Sequence, residues 1–435
     1  MEKRGLTGNS NSNGQLPSTM IEEILTRLPV KSLCRFKCVS KSWSSLISDN
    51  PSFVASHLYK GIGKDKDDLL FRRRRRVIFT DAAGNGLHSM HLDYDDEFLN
   101  HNKEEDASSD HDNRNRNCFD FVEDEEEVGG SNLLVTTATE LQYVYSELPG
   151  ISVSMLGWCN GLLLCMFLYD PQLYLVNPAT RQSKKLPEIP TEYLIDDLYY
   201  FCDVYGFGFD SSTHQHKVVN GIVYRTNVRD DDGGVQFNVY TLETNSWRQI
   251  HEYVFPYHIF PCRNKGTLLN GNLHWLGTRV GEDDHHHSSL LIVSLVLTQD
   301  QEEVREIPPP REINSSQTRR SKLGVFREWL CVTFEGEYGK AAPTYNEFWV
   351  MKEYGVGESW TKMTVSIPYW NLSHSGFWTK SHDLMVFEEE LVMYNFNNHS
   401  FRNLRVREIG KVGRVETYWE SIVSLKKSEK NKRSN

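Results

Sequence analysis

The chain has 435 residues, 39% of them hydrophobic, enough to build two domains or one large repeat fold with a small appendage. No run of about 18 apolar residues occurs, so no membrane-spanning helix is expected. The formal net charge of −11 is concentrated in one place: positions 93–127 hold 15 acidic and 3 basic residues, and the remainder is close to neutral, which argues against a general affinity for nucleic acid.

The opening stretch, MEKRGLTGNSNSNGQLP, has no apolar core and does not read as a secretory signal. Residues 1–15 are expected to be disordered. The eight cysteines contain no CxxC pair. Cys34 and Cys38 are one helical turn apart, too poor a pattern for zinc, and read as small buried residues. These features favour the reducing cytosol or nucleus.

Residues 16–60 read as a helical module. Ile21, Ile24, Leu25 and Leu28 have the spacing of one helix face, and Thr19 with Glu22 fits a capping box. Pro29 breaks that helix. Leu33, Cys34 and Cys38 mark the next face, Trp43, Leu46 and Ile47 follow, and Asn50-Pro51 separates off a short helix holding Phe53, Val54, His57 and Leu58. On a helical wheel Val30, Leu33, Cys34 and Cys38 share one side, with Phe36 and Val39 on the other. A helix apolar on two sides is buried on two sides. About 40 residues cannot form a stable core alone, so the second side needs a neighbour, either the rest of the chain or another protein.

After Leu69 the texture changes to short runs of Tyr, Phe, Trp, Val and Leu between Gly, Asn, Asp and Pro clusters, as strands and turns require. Residues 93–131 interrupt this with an acidic, aperiodic stretch, expected to be a disordered insertion, and residues 426–435 form a basic tail. The strand region repeats. LYLVNPATRQSKKLP (173–187), FNVYTLETNSWRQI (237–250), FWVMKEYGVGESWTKM (348–363) and LVMYNFNNHSFRNL (391–404) share a strand, a polar turn and a second strand. WCNGLLLCM (158–166), TLLNGNLHWL (267–276) and KLGVFREWLCV (322–332) each place a tight turn before an apolar strand. The intervals leave one degenerate unit near 291–307. Four-strand repeats of about 45–60 residues indicate a β-propeller of about five or six blades.

Leu16-Pro17, ILTRLPVKSLCRFKCVSKSWSSLISDNPSF (24–53) and His57-Leu58 resemble the F-box, the helical motif that binds the Skp-family adaptor of cullin ubiquitin ligases. GWCNGLLLC (157–165), LVNPATRQSKKLP (175–187), YGFGFDSSTHQHKVV (205–219), NVYTLETNSWRQI (238–250), LLNGNLHWLG (268–277) and YWESIVSL (418–425) are similar to the F-box-associated domain, type 1, of the large plant family that carries an N-terminal F-box. The resemblance implies a small all-α F-box module at 16–60, followed over 61–425 by an all-β, kelch-like propeller. It also implies a non-catalytic substrate-recognition subunit of a Skp–cullin–F-box ubiquitin ligase. Its partners would be the Skp-family adaptor, through it a cullin scaffold, and a target protein that the sequence does not identify. The surface meeting the adaptor, or the core beneath it, falls on Leu16, Pro17, Ile21, Ile24, Leu25, Leu28, Pro29, Val30, Leu33, Val39 and Trp43. The alternatives are an F-box scaffold that does not support ubiquitin transfer and a propeller enzyme, for which no ionisable groups converge at recognisable spacing.

Other features have plainer readings. Asp283 to His287 offers three imidazoles, yet consecutive histidines do not readily face one ion, and a solvated loop tip is expected; no metal or cofactor is. Arg72–Arg76 reads as a strand alternating faces, its charges paired with the acidic insertion. Gly206 and Gly208 echo a nucleotide loop without its third glycine or helix. Trp158, Trp247, Trp275, Trp349 and Trp360 are expected between blades. A propeller must be held shut, since an open ring leaves two sheet edges unpaired. The strand TYWESIVSL (417–425) is expected to pair within 69–92 or 140–148, with Gly410 and Gly413 forming the turn before it. On that reading, removing 417–435 would destabilise the propeller and spare F-box docking.

Overall fold

The computed structural model describes residues 16–62, 75–81, 83–91, 133–141, 152–168, 170–190, 198–226, 233–251, 254–260, 265–280, 290–297, 302–313, 320–334, 345–367, 372–378, 382–387, 390–409 and 411–425. The N-terminus, the acidic insertion, Asp283 to His287 and the basic tail lie outside these residues, as do Arg72, Arg73 and Arg74.

Four helices come first: α1 (Ser18–Leu25), α2 (Val30–Phe36), α3 (Lys41–Asp49) and α4 (Pro51–Ile62). Prolines begin three of them, because a ring that fixes φ and lacks an N–H suits the first turn. Pro17 and Pro29 occupy the N-cap positions of α1 and α2. The expected Thr19–Glu22 box does not form: α1 starts at Ser18, so Thr19 already lies inside the first turn, and no side chain caps the helix. Ser40 caps α3 by accepting the Trp43 N–H at 3.2 Å, and Asn50 caps α4 by accepting the Phe53 N–H at 3.1 Å.

Six blades follow. From the innermost strand outward, blade 1 is Val412–Trp419, Arg75–Asp81, His88–His91 and Thr139–Glu140. Blade 2 is Val153–Cys159, Leu162–Phe167, Asp170–Asn177 and Gln182–Lys185; blade 3 is Leu198–Asp210, Gln215–Thr226, Gly233–Thr241 and Ser246–Gln249. In blade 4, Tyr257–Ile259 and Thr267–Leu269 both pair with Asn272–Arg279, which continues to Leu291–Val296 and Glu303–Ile307. Those last two strands are the degenerate unit of the sequence. Blade 5 is Ser321–Phe326, Trp329–Phe334, Asn346–Met351 and Trp360–Val365. Blade 6 is Leu372–Trp378, His382–Phe387, Glu390–Asn395 and Ser400–Val406, with Leu133–Thr136 added in parallel outside it.

Six apolar clusters fill the six seams between neighbouring blades, including the seam from blade 6 back to blade 1, where Val77, Phe79 and Val415 meet Leu384, Val386 and Leu404. The ring is therefore closed. The closure is the expected one with different bounds: Val412–Trp419 runs antiparallel to Arg75–Asp81, pairing Arg75 with Trp419 and Phe79 with Val415. The strand starts earlier than predicted, and Gly413 lies within it. A Cβ there would sit 2.2 Å from the Asp81 carbonyl oxygen, so the glycine permits close strand approach. Residues 420–425 leave the sheet. Their alternation imitates a strand because Ile422, Val423 and Leu425 are buried by other means.

The recurrent motifs acquire physical roles in the seams. At Gly206 and Gly208 a Cβ would meet Leu273 and Leu297 side-chain carbons at 2.6 and 2.4 Å; these glycines set the distance between blades 3 and 4. Trp247 Nε1 donates to the Pro187 carbonyl and Trp360 Nε1 to the Pro308 carbonyl, each at 2.9 Å, latching an outer strand to the preceding blade. Trp275, Trp349 and Trp360 are buried, and Trp158 stacks on Tyr418 with centroids 4.8 Å apart.

Candidate docking surfaces

Turn geometry divides the propeller into two faces. Strands alternate in direction within a blade, so the first and third turns of every blade emerge on one face, and the middle loops and blade-to-blade connections on the other. The first face carries the tight turns. Asn160-Gly161 and Asn270-Gly271 take positive φ at both positions, as the two-residue turn whose twist matches the flanking strands demands. Asn177 Oδ1 accepts the Ala179 and Thr180 N–H groups, and Asp210 Oδ1 those of Ser212 and Thr213.

The helical module sits on this tight-turn face, over blade 2. Its core joins Leu25, Val30, Leu33, Ile47 and Phe53 to Ile422, with Ala179 of a blade 2 turn packed alongside. His57, buried, bonds the Leu28 carbonyl through Nε2 at 3.1 Å. Glu23 reaches Lys60 at 2.5 Å and Arg27 at 2.7 Å, tying α1 to α4. The Lys60 hydrogen bond first, and Arg27 second, hold the Glu23 carboxyl below its usual range.

The sequence-derived docking residues fall into two groups. Leu25, Val30 and Leu33 are core, and Ile21, Leu28 and Trp43 are half-buried against it. Leu16 (54% exposed), Ile24 (49%) and Val39 (60%) face solvent, as do Pro17 and Pro29. Ile24 is thus not on the face of Ile21 and Leu25; it shares the opposite face with Met20 (52%), four residues earlier. Phe36, placed outward on the wheel, instead packs inward against Trp43 with ring centroids 5.5 Å apart. Cys38 is exposed, because α2 ends at Phe36 and the wheel does not extend to it. Met20 and Tyr59 (62% exposed) are absent from the sequence-derived set. The i, i+4 spacing of Met20 and Ile24 carried the signal for the first; Tyr59 follows His57 and Leu58 without a readable period.

Near the ring closure, Arg75 is buried under the Trp419 ring at 5.3 Å, and desolvation pushes its guanidinium down to about 9. Arg76 pairs with Glu420 at 3.0 Å. Of the arginine run, the described members thus find their partners at the end of the closing strand, where the expectation had been the acidic insertion. On the face opposite the helices, Leu168, Tyr200 and Tyr345 are large, exposed apolar side chains from blades 2, 3 and 5. No group of three or more His, Cys, Asp or Glu residues placed to hold a metal occurs among the described residues.

Residues 14–54 match the F-box domain, and residues 130–430 match the F-box associated beta propeller domain. Three proteins of Arabidopsis thaliana are similar along much of the chain. The F-box/kelch-repeat protein At3g23880 is 27% identical over 412 residues, 94% of this chain and 95% of its own. F-box protein CPR1 is 26% identical over 437 residues, 94% and 88% of the two chains. F-box protein At3g07870 is 28% identical over 365 residues, 80% and 71%.

Proposed function

This chain belongs to the F-box proteins that carry an F-box-associated β-propeller, and on that footing we propose that it is a substrate-recognition subunit of a Skp–cullin–F-box ubiquitin ligase. The observation that carries the reading is the disposition of surfaces. Leu16, Met20, Ile24 and Val39 form exposed apolar surface on a module whose inner side is already covered by the propeller. That surface suits the Skp-family adaptor. The middle loops and blade-to-blade connections emerge at the far face and suit a target protein, since loops on a rigid scaffold carry recognition. The chain itself breaks no bond; it raises the local concentration of target lysines beside a conjugating enzyme recruited through the cullin.

The reading also carries a compartment, cytosol or nucleus. The described cysteines are free thiols, the state that a reducing compartment maintains. A fluorescent fusion entering the secretory pathway would overturn it.

The test of docking uses exposed residues. Leu33 is fully buried, so charging it would unfold the module and report nothing about a surface. Ile24→Asp with Val39→Asp should leave the melting temperature unchanged and weaken co-purification of a Skp-family adaptor by roughly 100-fold, the effect of losing two central apolar contacts. Full adaptor binding by this variant refutes the assignment. Adaptor capture without a cullin, or without ubiquitin on bound proteins, would instead support the scaffold.

A further inference from the structure

After the closing strand the chain does not leave the molecule. Glu420 pairs with Arg76 of blade 1. The next residues cross the blade 2 turn at Gly161 (φ +78°), where a Cβ would sit 2.5 Å from the Trp419 carbonyl oxygen and 2.6 Å from Ser421 Oγ. Asn177 Nδ2, fully buried, donates to both the Ser421 and the Val423 carbonyls at 3.1 and 2.8 Å. The Leu425 N–H donates to Gln182 Oε1 at 2.9 Å. Side chains of this short segment go to two domains: Ile422 enters the F-box core, while Val423 and Leu425 enter the seam of blades 2 and 3.

We propose that Glu420–Leu425 is a strap that fixes the orientation of the F-box on the propeller, with Asn177 as its positioning residue. The strap supplies contacts shared by both bodies at one place, Ile422 in one and Val423 with Leu425 in the other. Its functional meaning rests on the ligase reading above: the strap holds the adaptor surface and the target face at a constant distance, so that a bound target meets the conjugating enzyme repeatedly in one geometry. Asn177 suits the role because its two side-chain atoms do different work. Oδ1 accepts from Ala179 and Thr180 and shapes the turn, and Nδ2 holds the strap.

That division provides the test. Asn177→Asp keeps the turn-capping oxygen and sets a second oxygen against two carbonyls. Spin-labelled amino acids, genetically encoded at exposed Lys41 and Ser212 so as to avoid the native cysteines, report the F-box-to-propeller distance. The wild-type full-length protein should give one narrow distribution. Asn177→Asp, and separately Ile422→Ala, should broaden it about twofold, while the melting temperature of the propeller persists in both and adaptor capture persists in Asn177→Asp. An unchanged width in the Asn177→Asp/Ile422→Ala double variant overturns the proposal, as does a broad distribution in the wild type. If Asn177→Asp does not fold, Gln182→Ala decides in its place, since it removes the acceptor that the strap's Leu425 N–H and Ser424 Oγ share. Failure of the wild type to bind a Skp-family adaptor would refute the ligase reading and leave the distance measurement to judge the strap.

Discussion

Replacing Lys217 with Met should destabilise the propeller at neutral pH and much less in acid. Lys217, only 6% exposed, lies between two carboxylates that are wholly buried: Asp210 at 2.7 Å and Glu302 at 2.9 Å. Its third contact is the Leu297 carbonyl at 3.1 Å. Asp210 and Lys217 belong to blade 3 and Glu302 to blade 4, so the ammonium bridges a seam. Methionine preserves the volume and removes the charge, leaving Asp210 without a cation; Glu302 keeps Arg248. Breaking a buried pair in this way costs about 3–5 kcal/mol. With an unfolding entropy near 2.1 cal/mol/K per residue, a domain of this size should melt roughly 4–7 °C lower. The pH dependence follows from Asp210. Burial pushes its carboxyl up, but hydrogen bonds from Lys217, Ser212 and Thr213 outweigh burial and hold it well below its ordinary value of 3.8. A folded-state value below the unfolded one stabilises at higher pH, and that stabilisation is lost as pH falls through the depressed value. In Lys217→Met the main depressing partner is gone and Asp210 takes up its proton earlier. The gap between wild type and variant, read by differential scanning fluorimetry, should be full above about pH 5 and close as pH falls below 4. Equal melting temperatures at pH 7, or a gap that ignores pH, would refute the reasoning.

Truncation after Trp419 keeps the closing strand and removes Ile422, Val423 and Leu425, each contributing about 1.5–3 kcal/mol by burial; both the melting temperature and adaptor capture should fall, and intact docking would show that the F-box core does not depend on the strap. Replacing residues 93–131 with a short Gly-Ser linker should leave thermal stability nearly unchanged, because an acidic stretch without apolar period has little to pack; a large drop in melting temperature would contradict that. The Ile24→Asp/Val39→Asp and Asn177→Asp variants complete the set.

Much of the fold was readable because propeller blades repeat. The paired strands at 173–187, 237–250, 348–363 and 391–404 all prove to be the outer halves of blades, and even the degenerate unit at 291–307 occupies its place. What repetition could not give was the count, since the first blade is assembled from Val412–Trp419 at one end of the chain and Arg75–Asp81 at the other. The motif YGFGFDSSTHQHKVV is recognisable as a pattern in the sequence, but its reason lies in the fold. Its glycines make room for Leu273 and Leu297 across a seam, and its Asp and Lys are the buried pair Asp210 and Lys217. The glycines' role has no signature within the motif, because Leu273 and Leu297 lie in the next blade, as does Glu302, the second carboxylate on Lys217.

The docking surface was legible in composition but not in orientation. A 3.6-residue period identifies a face only if the helix continues, and these helices are only 8, 7, 9 and 12 residues long. Extending the α2 wheel to Cys38 and Val39 assigned sides to residues that lie past its end. The excess apolar area of the module correctly demanded a neighbour, and two candidates stood open, the propeller and another protein. The structure gives the inner side to the propeller, through Ile422 and Ala179, and leaves Leu16, Met20, Ile24 and Val39 uncovered. The expectation that removing 417–435 would spare docking treated the F-box as self-contained, whereas Ile422 lies in its core; truncation after Trp419 tests it. Ile422 contributes to the F-box core from nearly four hundred residues away, and no local pattern in either segment announces such a contact. A sequence period reports which residues are buried; which body buries them is decided by the closed ring, whose last strand ends beneath the helices.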